Sequence, residues 1–318
     1  MPWVLLNLHE FSALRIVCIV CLLMTHSPAQ NKITRVGVIG LGIIGKPIAG
    51  RLLTAGFHVA VYDVRNEPVA ELTTAGATAC ASPAEVAAHS DLIISLVADT
   101  PQTDDVVSGR NGILAALRPG AIFATGSTLG PAPVRRIATT IATLAAHGCA
   151  TIDMPITGGY LAAAEGTLAL MLGGEPSVID RATPAFQSFA STMTRAGDVG
   201  AGQAAKLAHQ LIMSVNIMAL LEGLSLGVAG GVEPEVLRHI IKHGLANSTV
   251  LQVWDDLGPR WKGMMKPAAA DSPLPNIRKD LHSALELARE LGIDLPVGAL
   301  ASQIADAGTA IGHDDPKI

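Results

Sequence analysis

A glycine-rich turn between two short apolar segments constrains the fold of this chain more than any other feature. The turn lies in TRVGVIGLGIIGKPIAGRLLTAGFHVAVYDVR, residues 34–65, and Gly40, Gly42 and Gly45 give it the spacing G-x-G-x-x-G. The apolar pattern predicts two strands and an intervening helix, over residues 35–39, 58–62 and about 43–55. Because 32 of the 318 residues are glycine, the spacing alone is weak, and its position between a strand and a helix makes it informative.

Such a strand-turn-helix unit suits a dinucleotide. Gly40 permits the tight turn, Gly42 lets the backbone approach a pyrophosphate, and Gly45 allows close packing of the helix on the sheet. Asp63 follows at the end of the second strand, where a carboxylate accepts hydrogen bonds from a ribose hydroxyl. The predicted cofactor contacts in this region are Gly40, Leu41, Gly42, Ile43, Ile44, Gly45, Asp63, Val64 and Arg65. The alternative is a structural turn that binds no ligand.

Asp63 also bears on the choice of cofactor. A carboxylate at this position repels a ribose 2′-phosphate, so the sequence favours NAD over NADP. Arg65, two residues later, would reverse this preference if its guanidinium turned toward a phosphate.

Two further apolar segments continue the alternation of strands and helices. Residues 91–99 (DLIISLVAD) and 120–128 (GAIFATGST) predict buried parallel strands, and hence a doubly wound sheet. Ligands bind beyond the carboxyl ends of such strands. The candidates there for contact with cofactor or substrate are Val97, Ala98, Asp99, Ser127 and Thr128. Ordinary turn chemistry before Pro131 is an equal alternative for Ser127 and Thr128.

The segment IDMPITGGYLAAAEGTLALMLGG, residues 152–174, contains a candidate anion site. Pro155 and two adjacent glycines are incompatible with a continuous helix. Thr157, Gly158 and Gly159 together offer a hydroxyl and flexible backbone N–H groups, which can hold a carboxylate. A simple glycine turn is the alternative.

The last third of the chain predicts helices. An uninterrupted helical pattern over residues 202–229 is long enough to leave the first domain, and Lys206 is the only charged Lys, Arg, Asp or Glu between Val199 and Leu221. Further amphipathic helices are predicted over residues 234–246, 248–263 and 276–292. The active site is expected in the cleft between the domains, where Trp254, Trp261, Met264 and Met265 either line the cleft or pack in a core or lid.

These segments together resemble a known family. GLGIIGKPIAGRL, DMPITGGYLAAAEGTLALMLGG, GAGQAAKLAHQ and KDLHSALELARELGIDLPV are similar, in order and spacing, to the four signature segments of the β-hydroxyacid dehydrogenases, and the resemblance covers about residues 34–310. It implies an NAD(P)-dependent oxidation of a small β-hydroxy acid, or the reverse reaction. It also implies a homodimer or homotetramer.

The resemblance assigns roles to individual residues. Thr157, Gly158 and Gly159 inherit the binding of the substrate carboxylate, and Lys206 inherits the role of general acid and base. Gln210, one helical turn later, stands where the family usually has asparagine, so its side chain shares a face with that of Lys206. Lys279 is expected near the nicotinamide and the substrate, with Asp280 beside it.

The sequence departs from the usual pattern at two positions. Gln210 is one methylene longer than asparagine, and His209 stands where many members have a second asparagine. This pair is similar to that of the L-threonate dehydrogenase branch and favours a polyhydroxy or bulkier acid. His209 could instead be a packing residue that forms a hydrogen bond. The presence of Lys206 disfavours an imine reductase.

The sequence therefore predicts an α/β fold in which a Rossmann doubly wound parallel sheet, residues 32–196, is joined by a long interdomain helix to an all-α domain, residues 197–318. A net charge of −5 without a basic stripe disfavours nucleic acid and membrane partners. No metal site is expected, since His239 and His243 lack a third ligand. Functional alternatives are an idle dinucleotide-binding module and an imine or aldehyde reductase.

Residues 1–31 are not part of the predicted fold, which begins at Lys32. Their apolar run ALRIVCIVCLLM is too short to span a bilayer. Glu10 and the absence of Lys or Arg before Arg15 disfavour an export signal. We interpret this segment as an extension, or as a start assigned too early, and expect a cytoplasmic protein.

Overall fold

The structure is a computed structural model that describes residues 32–144, 148–253 and 274–307. Its strands are β1 (Arg35–Ile39), β2 (His58–Tyr62), β3 (Thr78–Ala79), β4 (Leu92–Ser95), β5 (Ile122–Thr125), β6 (Ala150–Asp153), β7 (Ile156–Thr157), β8 (Leu168–Gly173) and β9 (Ala190–Gly197). Its α-helices are α1 (Gly45–Thr54), α2 (Asn66–Thr74), α3 (Pro83–Ala88), α4 (Thr100–Ser108), α5 (Pro131–Leu144), α6 (Gly159–Glu165), α7 (Pro176–Phe186), α8 (Ala201–Ala229), α9 (Pro234–His243), α10 (Thr249–Gln252), α11 (Leu274–Leu291) and α12 (Pro296–Ala307).

The strands form one sheet in the order β3-β2-β1-β4-β5-β6-β8-β7, with β9 paired to β8. The first six strands of this order are parallel, and β8 runs antiparallel to β6. The strand order reverses between β1 and β4, so the crevice beyond their carboxyl ends is where a doubly wound sheet binds its ligand. The predicted α/β fold with a Rossmann sheet is confirmed.

Several predicted boundaries were wrong by a few residues. The first helix begins at Gly45 and not at residue 43, because Gly42, Ile43 and Ile44 form the turn itself. The strands predicted over 91–99 and 120–128 are restricted to β4 and β5. The residues that follow each of these strands form loops at the carboxyl edge of the sheet. The residues predicted to contact the ligand lie in these loops.

A buried carboxylate fixes the start of α8 against the sheet. Asp153, at the end of β6, is fully buried and accepts hydrogen bonds from the backbone N–H groups of Gly200 and Gln203, each at 2.8 Å. The side chain of Gln203 accepts from Leu129 N at 2.9 Å and donates to Ser127 O at 2.8 Å. These bonds set the rotation of α8, so the next turn of the helix presents a defined face to the carboxyl edge.

Helix α8 starts one residue before its predicted start and extends for 29 residues, or about 43 Å. Length and composition alone would allow it to cross a membrane, a test that core helices also pass. Its polar residues Gln203, Lys206 and Gln210 are buried within the protein, and its apolar residues form a core with α9, α10, α11 and α12 that is separate from the cores of the sheet. We therefore interpret α8 as a core helix.

The helices after α8 follow the prediction in part. α9 and α11 occupy the predicted segments, whereas α12 was missed. The helix predicted over 248–263 is described only for α10, and Trp254, Trp261, Met264 and Met265 lie outside the described residues. The same holds for residues 1–31, so their interpretation and the cytoplasmic location stay predictions. The predicted division at residue 197 coincides with the end of β9 and stays a prediction.

Candidate active site

The glycine turn between β1 and α1 has room for a ligand at one position only among its three glycines. Gly40 has a φ of +89°, and a Cβ there would lie 2.9 Å from the carbonyl group of Leu96. A Cβ on Gly45 would overlap the carbonyl oxygen of Gly40. Gly42 differs, because a Cβ built there meets no atom within 4 Å. Gly40 and Gly45 are therefore required by the fold, while Gly42 leaves open space above the start of α1, which fits a pyrophosphate.

The carboxylate of Asp63 lies beside this turn, as predicted from the sequence. Its Oδ2 accepts from Leu41 N at 2.6 Å, and its Oδ1 accepts from Arg65 N at 2.8 Å and from Arg65 Nε at 3.1 Å. Burial raises the pKa of Asp63, but the hydrogen bonds from Arg65 and Leu41 outweigh burial and the net pKa is lowered. Asp63 is thus an anion at neutral pH. The predicted contacts Ile43 and Val64 are both exposed to solvent.

The loops after β4 and β5 are joined by a hydrogen bond at the carboxyl edge of the sheet. The hydroxyl of Ser127 donates to the carbonyl oxygen of Val97 at 2.6 Å. Asp99 accepts from Gln102 N at 2.9 Å and caps α4, and the neighbouring Ala98 N donates to the Gln102 side chain. Ser127 and Asp99 therefore form hydrogen bonds within the protein that stabilise these loops. Their contacts with a ligand stay predictions.

The candidate carboxylate loop lies between β7 and α6. Gly158 and Gly159 both adopt positive φ angles, +119° and +69°, which favour glycine. The hydroxyl oxygen of Thr157 is 3.0 Å from Nε2 of His209 on α8. Burial, and to a lesser extent the charge of Lys206, lowers the pKa of His209. The loop therefore contacts α8 within one helical turn of Lys206.

Four side chains form a polar chain from α8 to α11. Lys206, which is 7% exposed, donates from Nζ to Oε1 of Gln210 at 2.8 Å. Gln210 Nε2 donates to Asp280 Oδ2 at 2.6 Å. Lys279 Nζ lies 3.0 Å from Asp280 Oδ1 and donates to the carbonyl oxygen of Thr128 at 2.9 Å. The predicted catalytic pair, the predicted Lys279 and the loop after β5 therefore meet in one place.

The environment of Lys206 favours its neutral form. Burial lowers the pKa of Lys206, the negative charge of Asp280 raises it, and the positive charge of Lys279 lowers it, with a result of about 8 instead of 10.5. An amine with such a pKa is present in both protonation states near neutral pH and can accept or donate a proton. Its burial and its lowered pKa make Lys206 the strongest candidate for acid–base chemistry among the described residues.

Two supporting residues escaped the sequence analysis. Asp153 and Gln203 hold α8 in place, yet neither was singled out. A carboxylate that ends an apolar strand, as Asp153 does in ATID, is the signal that would have indicated a buried partner. Within the described ranges, no group of three or more His, Cys, Asp or Glu side chains is arranged to hold a metal ion.

Comparison with known proteins agrees with this geometry. Residues 35–197 match the NAD-binding domain of 6-phosphogluconate dehydrogenase, and residues 200–317 match the NAD-binding region of NADP-dependent 3-hydroxyisobutyrate dehydrogenase. The L-threonate dehydrogenase of Cupriavidus necator is 33% identical over 287 residues, which cover 89% of this chain and 94% of that protein. The chain belongs to the β-hydroxyacid dehydrogenase family. Its cofactor is accordingly a nicotinamide dinucleotide.

Solved structures support the membership in the β-hydroxyacid dehydrogenase family. A 3-hydroxyisobutyrate dehydrogenase from Salmonella typhimurium superimposes with a TM-score of 0.74 at 28% identity, covering 86% of this chain and 93% of that one. An imine reductase from Myxococcus stipitatus superimposes with a TM-score of 0.61 at 21% identity, covering 90% of this chain and 97% of that one. At that identity the second likeness shows the fold alone.

Proposed function

We propose that this β-hydroxyacid dehydrogenase oxidises the hydroxyl of a small β-hydroxy acid to the semialdehyde or ketone, or catalyses the reverse reduction, with Lys206 as general base and acid. The observation that carries the proposal is the nearly buried Lys206, whose pKa is lowered to about 8 and which lies one helical turn from His209, the residue of α8 that contacts Thr157. A bound nicotinamide supplies the hydride acceptor.

The protein's own residues bind the substrate carboxylate and transfer the proton. Backbone N–H groups of Gly158 and Gly159 and the hydroxyl of Thr157 hold the substrate carboxylate, which orients the hydroxyl toward α8. Neutral Lys206 accepts the hydroxyl proton while Gln210 Oε1 keeps its amine in place. In the reverse direction the protonated Lys206 returns that proton.

The test is turnover of a panel of β-hydroxy acids by the purified full chain. We expect reduced nicotinamide to form from at least one of 3-hydroxyisobutyrate, glycerate, threonate, serine and 3-hydroxypropionate. Binding of the dinucleotide without turnover of any acid, in this panel or a wider one, would instead favour an idle binding module, and turnover of cyclic imines would favour an imine reductase.

Within the panel we propose that a polyhydroxy acid is preferred. The support is the His209–Gln210 pair, and the identity of 33% to an L-threonate dehydrogenase. We expect threonate to exceed 3-hydroxyisobutyrate in kcat/KM. The opposite order would remove this preference and leave the reaction class intact.

We propose NAD as the preferred cofactor, because ionised Asp63 repels a 2′-phosphate. Replacing Asp63→Ser removes that charge and releases Arg65, so we expect the ratio of kcat/KM for NADP to that for NAD to rise at least about tenfold. The control is Asp104→Asn, which removes an exposed carboxylate paired with Arg136, away from the glycine turn. An unchanged ratio in Asp63→Ser would show that this carboxylate does not select the cofactor.

We also propose that the chain forms a homodimer or homotetramer. The support is a set of apolar side chains in the helical region, each more than half exposed: Ile212, Leu226, Val236, Ile240, Val297 and Leu300. Light scattering is expected to give twice or four times the mass of the chain, and Leu226→Asp is expected to lower it. A monomeric mass for the unaltered chain would contradict the proposal.

A further inference from the structure

Gln210 makes contacts at both ends of its side-chain amide. Its Oε1 accepts from Lys206 Nζ at 2.8 Å, and its Nε2 donates to Asp280 Oδ2 at 2.6 Å. An asparagine at the same backbone position would be shorter by about 1.5 Å, one carbon–carbon bond, and would lose at least one of these two contacts. The unusual glutamine is thus explained by a bridge from α8 to α11.

We propose that Asp280 is a positioning residue that fixes the orientation of the Gln210 amide and, through it, the amine of Lys206. The proposal rests on the proposed role of Lys206 in catalysis. Among the described residues Asp280 contacts Gln210 on one side and Lys279 on the other, so its effect on Lys206 is assigned through Gln210.

The chemistry of the two partners permits only one orientation of the amide. An ionised carboxylate only accepts hydrogen bonds, so it must face the NH₂ group of Gln210. A protonated lysine only donates, so it must face the oxygen. Both partners therefore favour the same rotamer, and while Lys206 is protonated the amide cannot flip without losing both bonds. A flipped amide would place its NH₂ group against the lysine and repel the ammonium.

Burial makes this arrangement rigid. Asp280 is 4% exposed and Gln210 is 9% exposed, so water cannot readily replace either bond. Oδ1 of Asp280 has no hydrogen-bond donor among the described residues, because Lys279 approaches within 3.0 Å but outside hydrogen-bonding geometry. Lys279 also bonds to the Thr128 carbonyl oxygen, which connects Asp280 to the loop after β5. The carboxylate is consequently held on one side by Gln210 and on the other by a cation.

The kinetic test is a double-mutant cycle. Asp280→Asn keeps the shape of the side chain but can both donate and accept, so both orientations of the Gln210 amide become possible. We expect kcat to fall about tenfold in Asp280→Asn and in Gln210→Ala. We expect the double variant to lose no more than about threefold beyond Gln210→Ala alone. Losses that multiply would mean that Asp280 acts independently of Gln210, and would overturn the proposal.

Two further variants guard against effects on folding. Gln210→Asn leaves Asp280 in place, and we expect it to reproduce the loss seen in Asp280→Asn; wild-type kcat in Gln210→Asn would contradict the bridge. Asp306→Asn removes an exposed carboxylate on α12 that pairs with Arg278 of α11. We expect it to change kcat by less than about twofold.

A second readout requires neither turnover nor cofactor. The rate of acetylation of Lys206 by acetic anhydride, followed by mass spectrometry over a range of pH, gives the titration midpoint of its amine in the free protein. The charged groups that act on this amine among the described residues are Asp280 and Lys279, and His209 is its titratable neighbour on α8. We expect Asp280→Asn to lower the midpoint, because a negative charge is lost and because the Gln210 amide is no longer held with its oxygen toward the amine. When Gln210 is already alanine only the loss of charge remains, so we expect a smaller shift.

The two readouts separate the inference from the proposed function. If no acid is turned over but the shifts in the Lys206 midpoint depend on Gln210, the dehydrogenase proposal fails and the positioning role stands. If acids are turned over but the effects of the two substitutions are independent in both readouts, the dehydrogenase proposal stands and the positioning role fails.

Discussion

Lys206→Met is expected to lower kcat for hydroxy-acid oxidation on the order of 10³-fold. Methionine keeps most of the aliphatic stem of Lys206, so the fold is retained while the proton acceptor is lost. The measurement is steady-state turnover with the best acid of the panel, together with the Kd for the dinucleotide from fluorescence quenching. We expect that Kd to change less than about threefold, because the substitution leaves the glycine turn and Asp63 unaltered.

The pH profile gives a second consequence of the same assignment. Oxidation needs the neutral amine, so kcat/KM is expected to rise with pH through a midpoint close to the pKa of Lys206, about 8. The reverse reduction needs the ammonium and should fall over the same range. The control is Lys32→Met, an exposed lysine ahead of β1, which should behave as the unaltered chain. Retention of more than about a tenth of the turnover in Lys206→Met would exclude this lysine as the base.

Two alanine substitutions in the glycine turn are expected to affect different properties: Gly45→Ala the stability of the fold, and Gly42→Ala the binding of the dinucleotide. Gly45→Ala should reduce the free energy of unfolding by about 3 kcal/mol or more, because its Cβ overlaps the Gly40 carbonyl oxygen in a packed turn. Gly42→Ala should leave the Tm nearly unchanged, since a Cβ there meets no atom within 4 Å. We expect Gly42→Ala nevertheless to weaken dinucleotide binding at least about tenfold, because the methyl group occupies the space for the pyrophosphate.

The pair forms its own control, since both variants add one methyl group within the same short turn. Thermal unfolding and dinucleotide titration of the two proteins are the measurements. Unimpaired binding in a stable Gly42→Ala would contradict the location of the pyrophosphate. A Gly45→Ala protein as stable as the unaltered chain would contradict the packing of α1 against β1.

The local sequence pattern predicts most strands and helices of the Rossmann fold correctly, but it predicts their first and last residues less well. The strands β1 and β2 and the turn between β1 and α1 follow from apolar periodicity and glycine spacing, which act over a few residues. The start of α1 at Gly45 does not, because Ile43 and Ile44 are compatible with a helix, and the close contact between Gly45 and the Gly40 carbonyl decides it. Helix α12 was missed; its segment PVGALASQIADA consists mostly of small residues and holds a single charged side chain, so no charged face indicates a helix.

The sequence by itself determined the family, the parallel sheet and the residues to inspect, because ordered motifs carry this information in their own spacing. It identified Lys206 by its isolation in an apolar helix, and Gln210 by its position one turn later. Only the tertiary structure decided that Gln210 reaches Asp280, 70 residues further along the chain, and that Asp153 fixes α8. Such contacts depend on how the helices pack, and a charge pattern along the chain contains no distance between α8 and α11.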